Sequence, residues 1–261
     1  MITIDNERCI QCGTCMEECH RSALSKEGET VVWASDKCMC CGHCMSVCPR
    51  DAIVMDGDGY DCETCEDIAF AKKPDAWMMR NLILARRSVR RYTDTPITEE
   101  QITRILEAGK YSPTAMNNQG NAFIVVESAE KRAELTADTY AAIKRLAAAG
   151  EIPAFFGKVC ENYEADGVDR IYYNAPLIIF VFATSSVDGA IAATTLGMQI
   201  NAEKLGFCHE RIPTNAFLDS EFAAKWQAPE GKKCVLALAI GESEMEFFCS
   251  VPRLDPPVVR F

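Results

Sequence analysis

Apolar residues spaced three and four positions apart predict helices through the second part of the chain, after residue 75. Each such stretch follows an Asp, Ser or Thr, whose side chain accepts hydrogen bonds from the free backbone N–H groups at a helix start. The last helix is apolar or small nearly all round, which predicts a position inside a core or a subunit interface. The predicted helices run from Asp75 to about Ala85, from the capping box Thr98–Gln101 to about Gly109, from Ser128 to about Ala149, and from Asp188 to Gly206.

Shorter apolar runs predict strands in both parts of the chain. The first three lie among cysteines, and we expect them to form a small shell with internal pseudo-symmetry. The tail, residues 251–261, has three prolines and cannot form a central strand throughout, so we expect an arm that wraps over another surface. The predicted strands are Ile2–Ile4, Val31–Trp33, Ile53–Met55, Ala122–Glu127, Leu177–Ala183 and Val235–Ile240.

Length and composition indicate a small module joined to a larger one. The chain has 261 residues, of which 48% are hydrophobic and 25% charged, as in ordinary globular proteins. Its longest purely apolar runs are too short to span a bilayer, and a cysteine at position 9 leaves no room for a signal peptide. The sequence therefore predicts a cytoplasmic protein without a membrane partner. The net charge of −11 argues against a nucleic-acid partner.

Two cysteine runs near the N-terminus share the spacing C-x2-C-x2-C-x3-C, and the second is displaced from the first by 29 residues. This is the spacing of bacterial ferredoxins, in which the fourth cysteine of each run serves the other cluster. The pattern predicts two [4Fe–4S] clusters. One would be held by Cys9, Cys12, Cys15 and Cys48, and the other by Cys38, Cys41, Cys44 and Cys19.

The spacing has a physical reason. Three thiolates in one tight loop can wrap one cluster, and a fourth from the other run then clamps the two halves of a very small module together. Zinc is the alternative, but four-thiolate zinc sites use two C-x2-C pairs rather than a triple with a remote fourth ligand. Two details depart from the pattern: His20 stands where a proline usually follows Cys19, and Cys40 is an extra thiol outside the ligand register.

The remaining cysteines and the charge distribution are less specific indicators of function. Residues 1–65 hold 12 Asp and Glu against 5 Lys and Arg, which fits either a docking face for a basic electron donor or a merely solvated surface. Eight of the 15 cysteines belong to the two runs, and the scattered remainder fits a reducing, anaerobic setting better than disulfides.

A Gly- and Asp-rich stretch after Met55 predicts a domain boundary. We expect a ferredoxin-type module over 1–58, a linker over 59–80 and a second domain over 81–261. The linker carries a lone C-x2-C pair, Cys62 and Cys65. A third metal site would need two more ligands, and a redox dithiol would normally begin a helix after a strand, so a cysteine-bearing linker is the favoured interpretation.

A basic cluster follows the first predicted helix of the second domain. It places Arg86, Arg87, Ser88, Arg90 and Arg91 within six residues of an acidic protein. Planar guanidinium groups and a serine hydroxyl match the oxygens of a phosphate, although a solvated basic patch is the default for such a cluster in isolation.

From about residue 80 to 261 the chain resembles the FMN-dependent nitroreductase family. The resemblance rests on RRSVRRY, the loop SPTAMNNQ before a strand, the helix ending LGF, and Pro252–Arg253. With the cysteine runs, the whole chain resembles the ferredoxin–nitroreductase fusions of anaerobic bacteria. The resemblance implies an α+β fold with a mainly antiparallel sheet, and a homodimer with FMN at the subunit interface.

The resemblance also implies roles for residues of this chain. Arg86, Ser88 and Arg253 would bind the FMN phosphate, with Arg87 alongside. Arg90 would lie near the N1–C2 edge of the flavin, where a cation favours the reduced form. Two loops would contact the ring. Pro213 has no N–H to offer flavin N5, so the donor there stays open. The implied FMN residues are Arg86, Arg87, Ser88, Arg90, Pro113, Thr114, Ala115, Asn117, Gln119, Ile212, Pro213, Thr214 and Arg253, with Glu210 in the second loop.

The function expected from these features is that of an FMN-dependent oxidoreductase. Electrons would pass from a low-potential donor through two clusters to FMN and on to a small nitroaromatic- or quinone-like acceptor. The donor would be a reduced ferredoxin, a hydrogenase or an NAD(P)H-linked protein. One alternative is a non-catalytic electron relay or redox sensor. Another, which the resemblance implies, is a different reaction of the same superfamily, such as reductive dehalogenation or flavin fragmentation. No catalytic side chain is assigned: proton transfer by Cys208 or His209 stays open, and the aromatic segment Glu151–Tyr173 is the candidate lid.

Overall fold

A computed structural model describes residues 1–66, 68 and 74–261. It divides the chain into two compact units, Met1–Lys73 with Ala115–Asn118, and Pro74–Thr114 with Gln119–Phe261. Within the predicted linker 59–80, residues 67 and 69–73 lie outside the described residues. The linker prediction stays untested there.

The part of the first unit that the structure describes contains two antiparallel strand pairs. Strand β1 pairs with β4, and β2 pairs with β3. The three strands predicted here are confirmed, and β2 was missed because only Leu24 among its four residues is buried. The elements are β1 (Ile2–Ile4), α1 (Thr14–Glu18), β2 (Leu24–Glu27), β3 (Thr30–Trp33), α2 (His43–Ser46) and β4 (Ile53–Met55).

The 29-residue repeat of the sequence is also a repeat of the backbone. Each short helix follows a glycine in the left-handed conformation, Gly13 with φ 85° and Gly42 with φ 75°. Only glycine adopts this conformation at little cost, so these two positions turn the chain sharply between the second and third cysteines of each run. Apolar side chains from both halves, with Ile2 and Ile53 among them, share one small core.

The second unit contains an antiparallel sheet of four strands in the order β5-β6-β8-β7. The expectation of an α+β fold with a mainly antiparallel sheet is therefore confirmed. Every residue of β6 is buried, as its uninterrupted apolar sequence requires of a central strand covered on both faces. The strands are β5 (Ala122–Val126), β6 (Leu177–Ala183), β7 (Gly206–Glu210) and β8 (Lys233–Gly241).

Helices cover both faces of this sheet. Alternate residues of β6 point to opposite sides: Phe180 packs into a core with α5 and α6, and Ile179 into a core with α4 and α7. Helix α7 lies close to the sheet because Gly197 leaves room for Phe207, whose ring a Cβ at that position would meet at 2.6 Å. The helices are α3 (Ala76–Ala85), α4 (Glu99–Lys110), α5 (Ala129–Ala148), α6 (Phe155–Asp166), α7 (Ser186–Ala202) and α8 (Ser220–Lys225).

Three of the four predicted N-caps are confirmed. The side chains of Asp75, Thr98 and Ser128 each accept a hydrogen bond from a backbone N–H in the first turn, and Thr98 with Gln101 forms the full capping box. The fourth prediction was wrong, because Ser185 caps α7 and Asp188 lies buried within its first turn.

The predicted end of α7 at Gly206 was also wrong. The helix ends at Ala202, and Lys204 then adopts the left-handed conformation with φ 62° that glycine usually supplies. Gly206 instead begins β7, where Val89 leaves no space for a Cβ. Because the stop residue is a lysine, no sequence signal marked it.

The candidate lid, Glu151–Tyr173, is mostly the helix α6 packed on α5. Tyr163 stacks on Tyr140 with ring centroids 3.9 Å apart, and Tyr172 is fully buried in the core. These aromatics are therefore structural, whereas Phe155 is exposed. Residues 251–261 are exposed throughout and form neither helix nor strand. Among the residues that the structure describes, no helix is both long and apolar enough to cross a bilayer.

Candidate functional site

Among the described residues of the first unit, a pair of cavities is lined by the cysteine sets predicted from the spacing, one set to each cavity. Both sets combine three cysteines of one run with the fourth cysteine of the other, so the exchange between the runs is present in the folded chain. The first cavity is lined by Cys9, Cys12, Cys15 and Cys48, and the second by Cys19, Cys38, Cys41 and Cys44.

The four cysteines around each cavity match in number the four iron corners of a cubane. Within the described part of the chain, no group of three or more His, Cys, Asp or Glu side chains converges closely enough to hold one metal ion. Tetrahedral zinc with Zn–S bonds of about 2.3 Å would require sulfur atoms about 3.8 Å apart. A cubane bears its ligands on four separate iron corners, so its cysteine sulfurs stand further apart around a cavity.

Backbone N–H groups point at the two cysteines that cross between the runs. Ala23 N donates to Cys19 Sγ and Ala52 N donates to Cys48 Sγ, both at 3.3 Å. Such hydrogen bonds stabilise a ligating thiolate and tune a cluster's reduction potential. Their equal length at positions 29 residues apart indicates that the two sites are built in the same way.

The surroundings of the two cavities differ at several positions, among them the one that follows each crossing cysteine. Pro49 lines the first cavity, and His20, at the equivalent position, lines the second. The extra thiol of Cys40 does not line either cavity; its residue has φ 50°, and its backbone N–H donates to Cys38 Sγ at 3.4 Å. The departure at His20 therefore places a polar ring beside one set of cysteines only.

In the second unit, the basic cluster lies on an extended segment beside β7. Ser88 and Phe207 form a parallel bridge, and Val89 N donates to Phe207 O at 3.0 Å. Side chains alternate along an extended chain, so Arg86, Ser88 and Arg90 share one face while buried Val89 occupies the other. Two guanidinium groups and a hydroxyl on one face suit an anion such as a phosphate.

Arg87 is engaged differently. Its guanidinium donates to the carbonyl oxygens of Leu84 at 2.7 Å and Arg86 at 2.8 Å, and to that of Cys249. It also lies 5.9 Å from the centre of the Phe247 ring. These contacts join the end of α3 to the C-terminal segment. The position of Arg87 alongside the FMN phosphate stays a prediction.

The end of β7 brings titratable groups together beside Arg90. Burial raises the pKa of the Cys208 thiol to about 12, and burial likewise raises the pKa of Glu210. Tyr173, which the sequence singled out only as part of a lid, lies with its ring 5.7 Å from the Arg90 guanidinium. Its position follows from tertiary packing and could not be read from sequence spacing.

His209 occupies a structural position. Its ring packs edge-on against Phe207 with centroids 5.0 Å apart, and Nε2 lies 3.3 Å from the carbonyl oxygen of Ala193. Burial lowers its pKa, which favours the neutral ring donating its Nε2 proton to Ala193. The proton-donor role left open for His209 is not supported by this geometry.

The polar loop predicted to contact FMN is split between the units. Pro113, Thr114 and Gln119 belong to the second unit, and Gln119 N donates to Thr114 Oγ1 at 2.9 Å. Ala115 and Asn117 belong to the first unit, where Asn117 Nδ2 donates to Cys40 O at 2.9 Å. That amide is therefore already engaged within the first unit.

The other predicted ring contacts do not form an open loop. Ile212, Pro213 and Thr214 begin a short 3-10 helix, Ile212–Leu218, in which Pro213 is buried and Thr214 Oγ1 donates to Arg211 O at 2.7 Å. Arg253 lies in the exposed tail, with its guanidinium 3.3 Å from Pro252 O. The described contacts bring Arg253 to neither Arg86 nor Ser88.

Two family models match the chain. The model described as the nitroreductase family matches residues 83–242, and the model described as a 4Fe-4S dicluster domain matches residues 2–55. A curated relative, an FMN reductase [NAD(P)H] of Bacillus subtilis, is 36% identical over 50 residues. That stretch covers 19% of this chain and spans only 20% of the relative's length.

Solved structures share the fold of the second unit. A nitroreductase with bound FMN from Bacteroides fragilis aligns with a TM-score of 0.59 at 21% identity, covering 70% of this chain and 97% of that one. An FMN-dependent nitroreductase of Clostridium difficile gives 0.55 at 20%, covering 70% and 98%. A nitroreductase with bound FMN from Desulfitobacterium hafniense gives 0.54 at 23%, covering 67% and 93%. At these identities the likeness establishes the fold alone.

Proposed function

The chain belongs to the nitroreductase family, and on that premise we propose that it is an FMN-dependent oxidoreductase fed with electrons through its own iron–sulfur module. When bound, the two [4Fe–4S] clusters supply one-electron transfer and FMN supplies hydride-equivalent transfer. The donor is an external low-potential carrier, and the acceptor is a small nitroaromatic or quinone. One observation carries the proposal: each predicted set of four cysteines lines its own cavity in a chain whose larger part is of this family.

The first unit contributes thiolates and backbone donors. Three cysteines of one run and one of the other hold each cluster, and Ala23 and Ala52 donate to the crossing thiolates. The acidic surface of the module suits a basic carrier protein as donor. Having the electron-transfer module in the same chain raises its effective concentration at the flavin domain without a diffusional encounter.

The second unit contributes cations on one face of an extended segment. We propose that Arg86 and Ser88 bind the FMN phosphate and that Arg90 lies nearer the ring, where its charge stabilises the anionic reduced form. Tyr173 stacks against the Arg90 guanidinium and limits its freedom. Burial of Cys208 and Glu210 next to them makes this end of β7 a low-dielectric environment in which a fixed cation acts strongly.

We further propose that the chain functions as a homodimer. Helix α7 buries one side in the core and exposes Val187, Ile191 and Met198 on the other, and α3 exposes Trp77 and Ile83. Apolar residues exposed along two helices favour contact with a second copy. Sedimentation velocity of the cofactor-loaded protein should give a dimer, and a monomer at micromolar concentration would refute this part of the proposal.

Steady-state turnover tests the proposed activity. The loaded protein, reduced anaerobically by a low-potential electron donor, should reduce a nitroaromatic or a quinone over many cycles. A matched Cys48→Ser variant, which removes one ligand of the first cluster, should lose donor-driven turnover yet keep its FMN. Full reduction of both cofactors without turnover of either acceptor would instead favour the non-catalytic relay or sensor.

A further inference from the structure

The pair Cys62 and Cys65 is not used by the proposed electron path. The structure places Cys62 at the start of a short 3-10 turn in the first unit, Cys62–Thr64, and Cys65 directly after it. Cys65 N donates to Cys62 O at 3.1 Å, which closes a turn of four residues. The cysteine-bearing linker predicted from the sequence therefore includes a hydrogen-bonded turn at these residues.

The turn holds the two cysteines in a geometry suited to a disulfide. Positions i and i+3 of a 3-10 turn lie above one another, which brings the backbones of Cys62 and Cys65 close together. The ends of such a turn are less than about 7 Å apart at Cα, and disulfides form across about 4.4–6.8 Å. A bond between the sulfur atoms therefore requires little movement of the backbone.

Two aspartates hold the turn in place. Asp56 Oδ1 accepts from Cys62 N at 2.9 Å, and Asp61 caps the turn by accepting from Glu63 N at 2.9 Å. The Cys62 thiol also donates to the Asp56 carboxylate, and this hydrogen bond raises the pKa of Cys62. Cys65 is exposed while Cys62 is half-buried, so an external reagent reaches Cys65 first.

We propose that Cys62 and Cys65 form a redox-active dithiol that exchanges reversibly with an external dithiol. In the reducing direction, a thiolate of the external dithiol attacks Cys65 Sγ and breaks the Cys62–Cys65 bond. Cys62 leaves as a thiolate and takes a proton from water. The second thiol of the reagent then closes the reagent's own disulfide and releases Cys65, which is also protonated. The reagent loses two electrons and two protons, and the pair gains them.

This activity is independent of the proposed FMN chemistry. Disulfides that occur in a reducing setting are usually transient and functional, which is the behaviour expected of a pair with one exposed thiol in a chain rich in free thiols. Exposed Cys249, by contrast, has no cysteine three residues away and offers a matched comparison.

Thiol trapping of the full, cofactor-loaded chain tests the proposal. The protein is equilibrated anaerobically in buffers of reduced and oxidised dithiothreitol, quenched with acid, alkylated and digested with trypsin. Cleavage after Arg50 and Lys72 yields a peptide, residues 51–72, whose only cysteines are Cys62 and Cys65. Mass spectrometry then distinguishes two forms of the peptide. The dithiol is doubly alkylated, and the disulfide is unalkylated and two hydrogen atoms lighter than the unmodified dithiol peptide.

The expected result is one reversible two-electron transition of peptide 51–72 between these forms. Cys62→Ser and Cys65→Ser should each abolish it, and Cys249→Ser should leave its midpoint unchanged. Double alkylation in every buffer would overturn the proposal. So would protection of both thiols without loss of the two hydrogens, because that result indicates a bound metal ion.

Discussion

Tyr92 is predicted to hold the proposed flavin-binding segment in register. Its buried hydroxyl lies 2.6 Å from Val89 O and 2.8 Å from Ala239 O, and thereby ties the segment after α3 to the strand β8. Replacement by Phe keeps the ring and removes only the hydroxyl, leaving two buried carbonyl groups without that donor. The loss of a buried hydrogen bond of this kind costs about 1–2 kcal/mol.

That cost translates into a measurable shift. For a domain of about 150–250 residues, each kcal/mol lowers the melting temperature by about 2–4 °C, so Tyr92→Phe should melt about 2–8 °C below the wild type. Circular dichroism in the far ultraviolet is the suitable probe, because the longest helices belong to the second unit. Because Arg90 is two residues from Tyr92, the FMN dissociation constant should also rise roughly twofold to tenfold.

Tyr111→Phe provides the matched control. Tyr111 is 63% exposed, so removal of its hydroxyl should change stability by less than about 0.5 kcal/mol and leave FMN affinity unaltered. If Tyr92→Phe melts at the wild-type temperature and binds FMN equally tightly, the hydroxyl does not anchor the segment. The register of this segment would then not be what positions Arg90.

Three further perturbations separate the sites. Cys48→Ser should lower the iron content per chain by about half or more, because Cys48 lines the first cavity. Cys40→Ser should leave the iron content unchanged, because Cys40 lines neither cavity. Equal loss of iron in both variants would contradict the ligand assignment. Arg86→Ala should weaken FMN binding at least about tenfold in a fluorescence titration. Arg87→Ala should mainly lower the melting temperature, because its guanidinium binds backbone carbonyls. Loss of FMN affinity in Arg87→Ala and not in Arg86→Ala would contradict this assignment. Burial raises the pKa of Glu210 above its ordinary 4.5. Ionisation of this side chain in the folded protein therefore lowers the free energy of unfolding as the pH rises past that value. In urea unfolding, Glu210→Gln should therefore gain stability relative to wild type between about pH 4 and pH 7, and a constant difference would reject the burial argument.

Local signals made much of the second unit predictable. Asp75, Thr98 and Ser128 are N-caps because their side chains satisfy nearby backbone donors, an effect confined to one turn of sequence. The end of α7 was missed because Lys204 adopts a conformation that its side chain does not signal. Strand β7 was missed for the same reason, since Gly206 was interpreted as the end of that helix.

The candidate sites differ in how much the sequence could predict. The cysteine sets follow from spacing alone, because a loop with ligands every third residue can wrap only a nearby cluster and must take its fourth ligand from elsewhere. The environment of Arg90 depends on Tyr173 and Glu210, which are distant in sequence and meet only through packing of the sheet. Likewise, the engagement of Arg87 with Cys249 O joins residues that no local pattern relates.

Cofactor stoichiometry tests the central claim most directly. Anaerobically purified protein, reconstituted with iron, sulfide and FMN, should contain about eight iron atoms, about eight acid-labile sulfides and one FMN per chain, as two cubanes and one flavin require. Zinc in place of iron, or a chain that binds no FMN at saturating concentration, would contradict the account.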